Sequence, residues 1–324
     1  MDDDREMFLP APPARYRDND RPTVEPHGRA LQSALRCDIA FLGGISMTDM
    51  ASRRVGLWAL IAVNLILLSC STNNAPQPGT PAFFWAAAKE TYAAGDYQKT
   101  VEHLSNIVST QNEYVARAQP WMLILTSGMV QGYMDLAKAF DDGAHANRSQ
   151  ATNFHRQVNT YQGAANTLAL QFADTFSKFQ SKDEFVTLAF AYPTGSPTEV
   201  MLLNKVAGGA WLPEAEIDTA QKRAIEHAVL LATCRAAGAK DDPAKAQDLL
   251  KTGEAKVPRA AFVQAMAVAL YDASQLYSRT KLDQPDKMKV FCGRAQEALK
   301  TIPDSKDGQD LDKKIQAALK KVKA

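Results

Sequence analysis

The side chains with which this chain could do covalent or metal chemistry are its four cysteines, its histidines and a few serines beside glycine. A zinc site needs Cys or His ligands at short spacing, because four of them converge on one ion. Cys37, Cys70, Cys234 and Cys292 form no CxxC pair, and none stands at such a spacing from a histidine. His103, His145, His155 and His227 are scattered over separate segments without an HExxH pattern, so they read as surface or packing groups. Ser127-Gly128 and Ser196 lie outside any GxSxG, and a helical pattern lacks the strand-to-helix elbow that such a nucleophile requires. Neither a metal nor a cofactor is expected, and no reaction is legible. The one cysteine whose surroundings give it a chemistry is Cys70. Arg53 and Arg54 open a charged stretch, residues 55–68 are mostly apolar, and Leu67, Leu68 and Ser69 stand directly before the thiol.

This arrangement resembles the lipobox of bacterial lipoproteins. The resemblance implies a diacylglycerol on the Cys70 thiol, cleavage just before it and acylation of the new amino terminus. Each buried methylene contributes about 0.8 kcal/mol, so three acyl chains make a stable membrane anchor. An uncleaved membrane helix is the other reading of the segment. A span needs roughly 20 apolar residues, whereas this run is shorter, contains Asn64 and stops at Ser69-Cys70. Ser71 follows the cysteine where enteric bacteria place a retention aspartate, and by that analogy the destination is the outer membrane, facing the periplasm.

These assignments divide the chain. Residues 1–46 are rich in Pro, Asp and Arg and show no periodic apolar face, and read as a disordered extension or a misassigned start. Met47 and Met50 lie just upstream of Arg53, so residues 47–69 read as the signal segment and residues 70–80 as lipidated cysteine and tether. From residue 81 the pattern is helical almost to the end. Thr80-Pro81, Ser196-Pro197 and Asp242-Pro243 each place a capping side chain before a proline, and residues 181–184 and 196–199 fit the capping box. Alternating Val, Ile and Thr are scarce, so no sheet is expected. With 37 basic and 36 acidic side chains, net +1, no face-sized basic block is available before the C-terminus, which argues against nucleic acid.

The stretch from Phe84 to Leu104 resembles a tetratricopeptide repeat. Phe84 is the bulky residue early in the first helix, Ala87 and Ala88 are small at mid-helix, Tyr92 follows, and Gly95-Asp96-Tyr97 make the turn into a second helix carrying Thr100, Leu104 and Ile107. Thr100 stands where the family has alanine, and no proline closes the unit near Asn112. Two further helix pairs are read at 224–238 with 243–253 and at 260–280 with 285–302, while 120–191 holds longer helices that fit no repeat length. The expected fold is all-α, an α-solenoid of helical hairpins, TPR-like and irregular in the middle. Leu311, Ile315, Leu319 and Val322, with lysines opposite, read as a closing amphipathic helix.

Several features admit a functional and a structural reading. Gly128 and Gly132 form a GxxxG inside an apolar run, but Asp135 and Lys138 come too soon for a membrane span, which favours close packing of soluble helices. Gly208-Gly209 reads as a helix terminus, residues 190–197 with Tyr192 as a connection rather than an exposed binding loop, and Lys313, Lys314, Lys320, Lys321 and Lys323 as a solvated face. Cys234 and Cys292 each sit in an apolar stripe and read as free thiols rather than a bridge. The functional expectation is a non-enzymatic, lipid-anchored envelope scaffold that binds a protein or peptide through a helical-repeat groove. The alternative is a helical partner lipoprotein of a solute transport system, which requires a pocket for a small ligand. A hydrolase of envelope polymers lacks a paired-carboxylate or nucleophile signature.

Overall fold

Helix starts follow the capping chemistry in the sequence. In the computed structural model, which describes residues 76–179, 181–193 and 201–323, α1 (Pro81–Ala93) begins with the Thr80 hydroxyl accepting the Phe83 N–H at 3.2 Å. The extension, the signal segment with Leu67, Leu68, Ser69 and Cys70, and the 196–199 box lie outside these residues. α1 ends at Gly95, whose φ of +73° suits glycine. The Asp96 N–H returns to the Thr91 carbonyl (2.9 Å) and the Gly95 N–H to that of Tyr92 (3.0 Å), the paired bonds of a Schellman stop. Asp96 then caps α2 (Tyr97–Val108), accepting from the Lys99 N–H. Thr100 is fully buried, yet its hydroxyl donates to the Asp96 carbonyl and meets Thr91 Oγ1 at 3.0 Å, so it fits where the repeat family carries alanine.

The chain is mostly helical, and its middle is built on one long helix. α3 (Val115–Ala146) has 32 residues, and residues 121–130 are buried without exception. A helix apolar on all sides has to be surrounded. α4 (Ala151–Lys178) returns along it after a short connection, and α2, α5 (Met201–Ala207), α6 (Glu214–Ala236) and α8 (Arg259–Ser274) also pack on it. The expected hairpins are present: α1 with α2, α6 with α7 (Pro243–Leu250), and α8 with α9 (Pro285–Lys300). In a solenoid each unit touches only its neighbours, whereas here five helices converge on α3. Asp242 caps α7 by accepting from the Lys245 N–H, and α10 (Lys306–Lys323) closes over α9 with Leu311 and Ile315 buried.

The GxxxG segment is where α6 meets α3. A Cβ on Gly128 would stand 2.7 Å from Val229 Cα, and one on Gly132 would stand 2.9 Å from Ile225 Cα, so the two backbones touch. This is the close helix packing read from the sequence. No helix among the described residues is long and apolar enough to cross a membrane.

One expectation is overturned. A two-stranded antiparallel sheet joins β1 (Phe185–Leu188) to β2 (Ala255–Pro258), with Val186 opposite Val257. Residues 181–184 therefore lead into a strand and cap no helix. Arg259 fixes this junction: its N–H donates to the Glu184 carbonyl (2.8 Å), Nε to the Ser181 carbonyl (2.7 Å) and Nη1 to the Thr301 carbonyl (3.0 Å). The strand alternates as a half-buried strand should, with Val186 and Leu188 inward, but over only four residues, and its partner lies far along the chain.

The glycines give a sign test. Gly128→Ala should destabilise by about 1–3 kcal/mol through overpacking. Gly163→Ala, in α4 where a Cβ meets nothing within 4 Å, should stabilise by about 0.5–1 kcal/mol. Urea titration of both variants checks this, and equal effects would contradict the close crossing.

Candidate functional site

Apart from one stripe, the middle of α3 is apolar: Ser127, Gln131 and Asp135, spaced by four, fall on one face. That face opens into a groove between α3, α6 and α8, a cavity of about 390 Å³. The space exists because the facing positions are small. Ala228 and Ala232 of α6 and Ala265 and Ala269 of α8 line it, where larger side chains would close it. An apolar concave wall with a few convergent polar groups is the usual form of a small-molecule site.

The ionisable groups on its lining are two carboxylates, an imidazole and a guanidinium. Asp135 accepts from Gln131 Nε2 at 2.7 Å. Burial nevertheless raises its pKa, outweighing that hydrogen bond and the charges of His227, Lys281 and Lys138. Burial also raises Asp272, against the pull of Arg235 and Lys314 and with a push from Asp135. Neither carboxylate has an ion pair within 4 Å among the described residues. The cations on the same helices are engaged elsewhere, Arg235 with Asp241 at 2.9 Å and Lys138 with Asp142 at 2.6 Å.

Ser127, His227 and Asp135 are the residue types of a hydrolytic triad, and all three line the groove. No hydrogen bond joins any two of them among the described residues. The Ser127 hydroxyl donates to the Ile124 carbonyl at 3.0 Å, and His227 Nδ1 is buried without a partner. A serine nucleophile needs its base within hydrogen-bond reach, and Ser127 and His227 are not so joined among the described residues.

The repeat-defining residues lie elsewhere. Ala88, Tyr92, Tyr97 and Leu104 are buried in the α1–α2 hairpin, Phe84 packs on its edge at 6.2 Å from the His103 ring, and Gly95 and Asp96 form its turn. Tyr92 seats the hairpin, stacking near Trp121 (5.0 Å) and Phe190 (4.9 Å) and donating to the Ala191 carbonyl at 2.9 Å. Tyr192 is half-buried with its hydroxyl 3.5 Å from Cys234 Sγ, in keeping with a connecting segment. Cys234 and Cys292 are both buried and free. His145 bonds the Asp141 carbonyl, His155 is exposed, and no cluster of three or more potential metal ligands occurs among the described residues.

The groove is not legible in the sequence. In the sequence Asp135 reads as a charge that ends an apolar run, and the spacing of Ser127, Gln131 and Asp135 is the signal that places them on one face. Comparison with protein-family models, curated proteins and solved structures finds no match to this chain.

The two carboxylates carry a pH signature. A carboxyl whose folded-state pKa lies above its ordinary 3.8 keeps its proton in the native state over the window between the two values. The native state there binds more protons than the unfolded chain, so stability falls as pH rises through that window. At neutral pH both ionised groups cost stability. Asp135→Asn and Asp272→Asn should each raise the melting temperature at pH 7 by about 1–4 °C, and the gain should vanish as pH falls to the ordinary carboxyl value. A lower melting temperature at neutral pH would make the carboxylates structural.

Proposed function

We propose that this protein is a lipid-anchored, non-enzymatic binding protein of the cell envelope that holds a small ligand in the groove between α3, α6 and α8. Cys70 carries the lipid, and by the Ser71 analogy the membrane is the outer one, with the helical body facing the periplasm. The observation that carries the reading is the alanine-lined cavity of about 390 Å³ with two carboxylates that have no ion pair within 4 Å among the described residues. Carboxylates in a cleft whose burial raises their pKa are candidates for a functional site. Of the two readings raised by the sequence, this is the ligand-binding partner of a transport system.

A protein or peptide partner is the second reading, and β1 favours it. Among the described residues β1 pairs on one side only, and Phe185, 44 % exposed, borders a cleft shared with the α2–α3 loop. An extended peptide adds to such an edge through main-chain hydrogen bonds. The α1–α2 hairpin, as a repeat-like unit, adds to this reading by resemblance alone.

Two arms test the proposal on the full chain in mild detergent. In the first, a library of small polar metabolites is screened by thermal shift, and a ligand at a hundredfold its Kd should stabilise the wild type by about 2.7 kcal/mol. Ala232→Leu and Ala269→Leu, which fill the groove, should fold and lose that shift; retention of the shift in both would sink the site. In the second, a fatty-acid analogue should label the wild type and not Cys70→Ala, and an unlabelled wild type would remove the anchor.

A further inference from the structure

The α1–α2 turn faces a second cleft, of about 520 Å³, whose opposite wall is α6. At its centre is Glu226, 8 % exposed and the one charged side chain in the buried set of the described residues. Its Oε2 accepts from Arg223 Nη1 at 3.0 Å, from a guanidinium that itself lies near the surface. Its Oε1 has no partner among the described residues and points at the turn, 3.9 Å from where a Cβ on Gly95 would stand. Gly95 lines the same cleft.

Two more polar groups share this position. Tyr97 and Tyr133, 4 % and 6 % exposed, line the cleft, and their hydroxyls have no hydrogen-bond partner among the described residues. Tyr92 next door differs, since its hydroxyl is used by the Ala191 carbonyl. Burial first, and Glu226 second, push Tyr97 up to about 12, so the hydroxyl keeps its proton. Glu226 Oε1 and the two tyrosine hydroxyls are not among the buried polar atoms left without a partner, so all three are open to the cleft and a ligand there can donate to them.

The lining selects the sign of the donor. Asp96, Asp218 and Glu226 line the cleft with one lysine, Lys222; Lys99 holds Asp96 at 3.1 Å and Arg223 holds Glu226 through Oε2 at 3.0 Å, which leaves Asp218 and Glu226 Oε1 as the carboxylate acceptors without a close cation among the described residues. An anion would meet repulsion. A metal ion would need three or more close ligands of the usual types, and no such group occurs among the described residues. A primary ammonium offers three N–H donors, matching one carboxylate oxygen and two hydroxyls that can accept, and the tyrosine rings tolerate a cation against their faces.

We propose that this cleft binds the ammonium group of an aliphatic amine, with Glu226 as its counter-ion and Tyr97 and Tyr133 as further acceptors. The site is independent of the groove between α3, α6 and α8, which lies on the other flank of α6. Calorimetric titration of the full chain in neutral detergent with cadaverine tests it. Saturable binding is expected, weakened by added salt, about tenfold weaker in Glu226→Gln and severalfold weaker in Tyr97→Phe. Arg223→Ala removes the competing cation, so affinity should rise, a direction that general damage to the fold would not give. Ala232→Leu, which closes the groove, should leave cadaverine binding in place. Absence of saturable binding, equal affinity in a folded Glu226→Gln, or loss of binding in Ala232→Leu would each overturn the assignment. If Glu226→Gln does not fold, the opposite shifts in Tyr97→Phe and Arg223→Ala decide, and unchanged affinity in both overturns it.

Discussion

Backbone contact between α3 and α6 at Gly128 and Gly132 is the constraint on which the rest of the structure depends. Glycine permits it because any Cβ there would collide with Val229 or Ile225. Once the two helices are pressed together, the residues of α6 on either side of that line are directed to opposite flanks. His227, Ala228, Leu231 and Arg235 fall on the flank shared with α8 and form the groove. Asp218, Lys222 and Glu226 fall on the flank shared with the α1–α2 turn. Both clefts are thus consequences of one crossing, and α3 contributes to each, Ser127, Gln131 and Asp135 to the first and Met129 and Tyr133 to the second.

The energetics of the two flanks run against those of the core between them. Residues 121–130 are packed on every side, and the apolar area they bury stabilises the fold. At the groove the same helices carry alanines where leucines would fit and carboxylates whose burial raises their pKa. At the turn, Glu226 is a largely covered side chain with one carboxylate oxygen paired to Arg223 and the other open to the cleft. Marginally stable proteins tolerate such losses where binding compensates them.

Features governed by neighbouring residues were legible in the sequence. Thr80-Pro81 and Asp242-Pro243 start helices because capping is a local bond, and Gly95-Asp96 stops one and starts the next for the same reason. The GxxxG spacing announced a close approach, though not that α6 would be the partner. The sheet was not legible, since Phe185–Leu188 is too short to declare itself and its register depends on a distant segment anchored by Arg259. The groove was hidden for a related reason. Alanines at 228, 232, 265 and 269 read singly as packing residues, and only the packing of three helices turns them into the walls of a cavity. Likewise Glu226 looks like an ordinary exposed charge on a helix until the Gly95 turn covers it.

A ligand-binding role requires that the groove between α3, α6 and α8 be occupied in the native protein. Native mass spectrometry of the full chain, extracted from its own membrane in mild detergent, reads this without prior choice of ligand. The account expects the mass of the lipid-modified chain together with one retained small molecule, absent when Ala232→Leu is extracted in the same way. A bare chain in both spectra, across extraction conditions gentle enough to keep weak ligands, would contradict it.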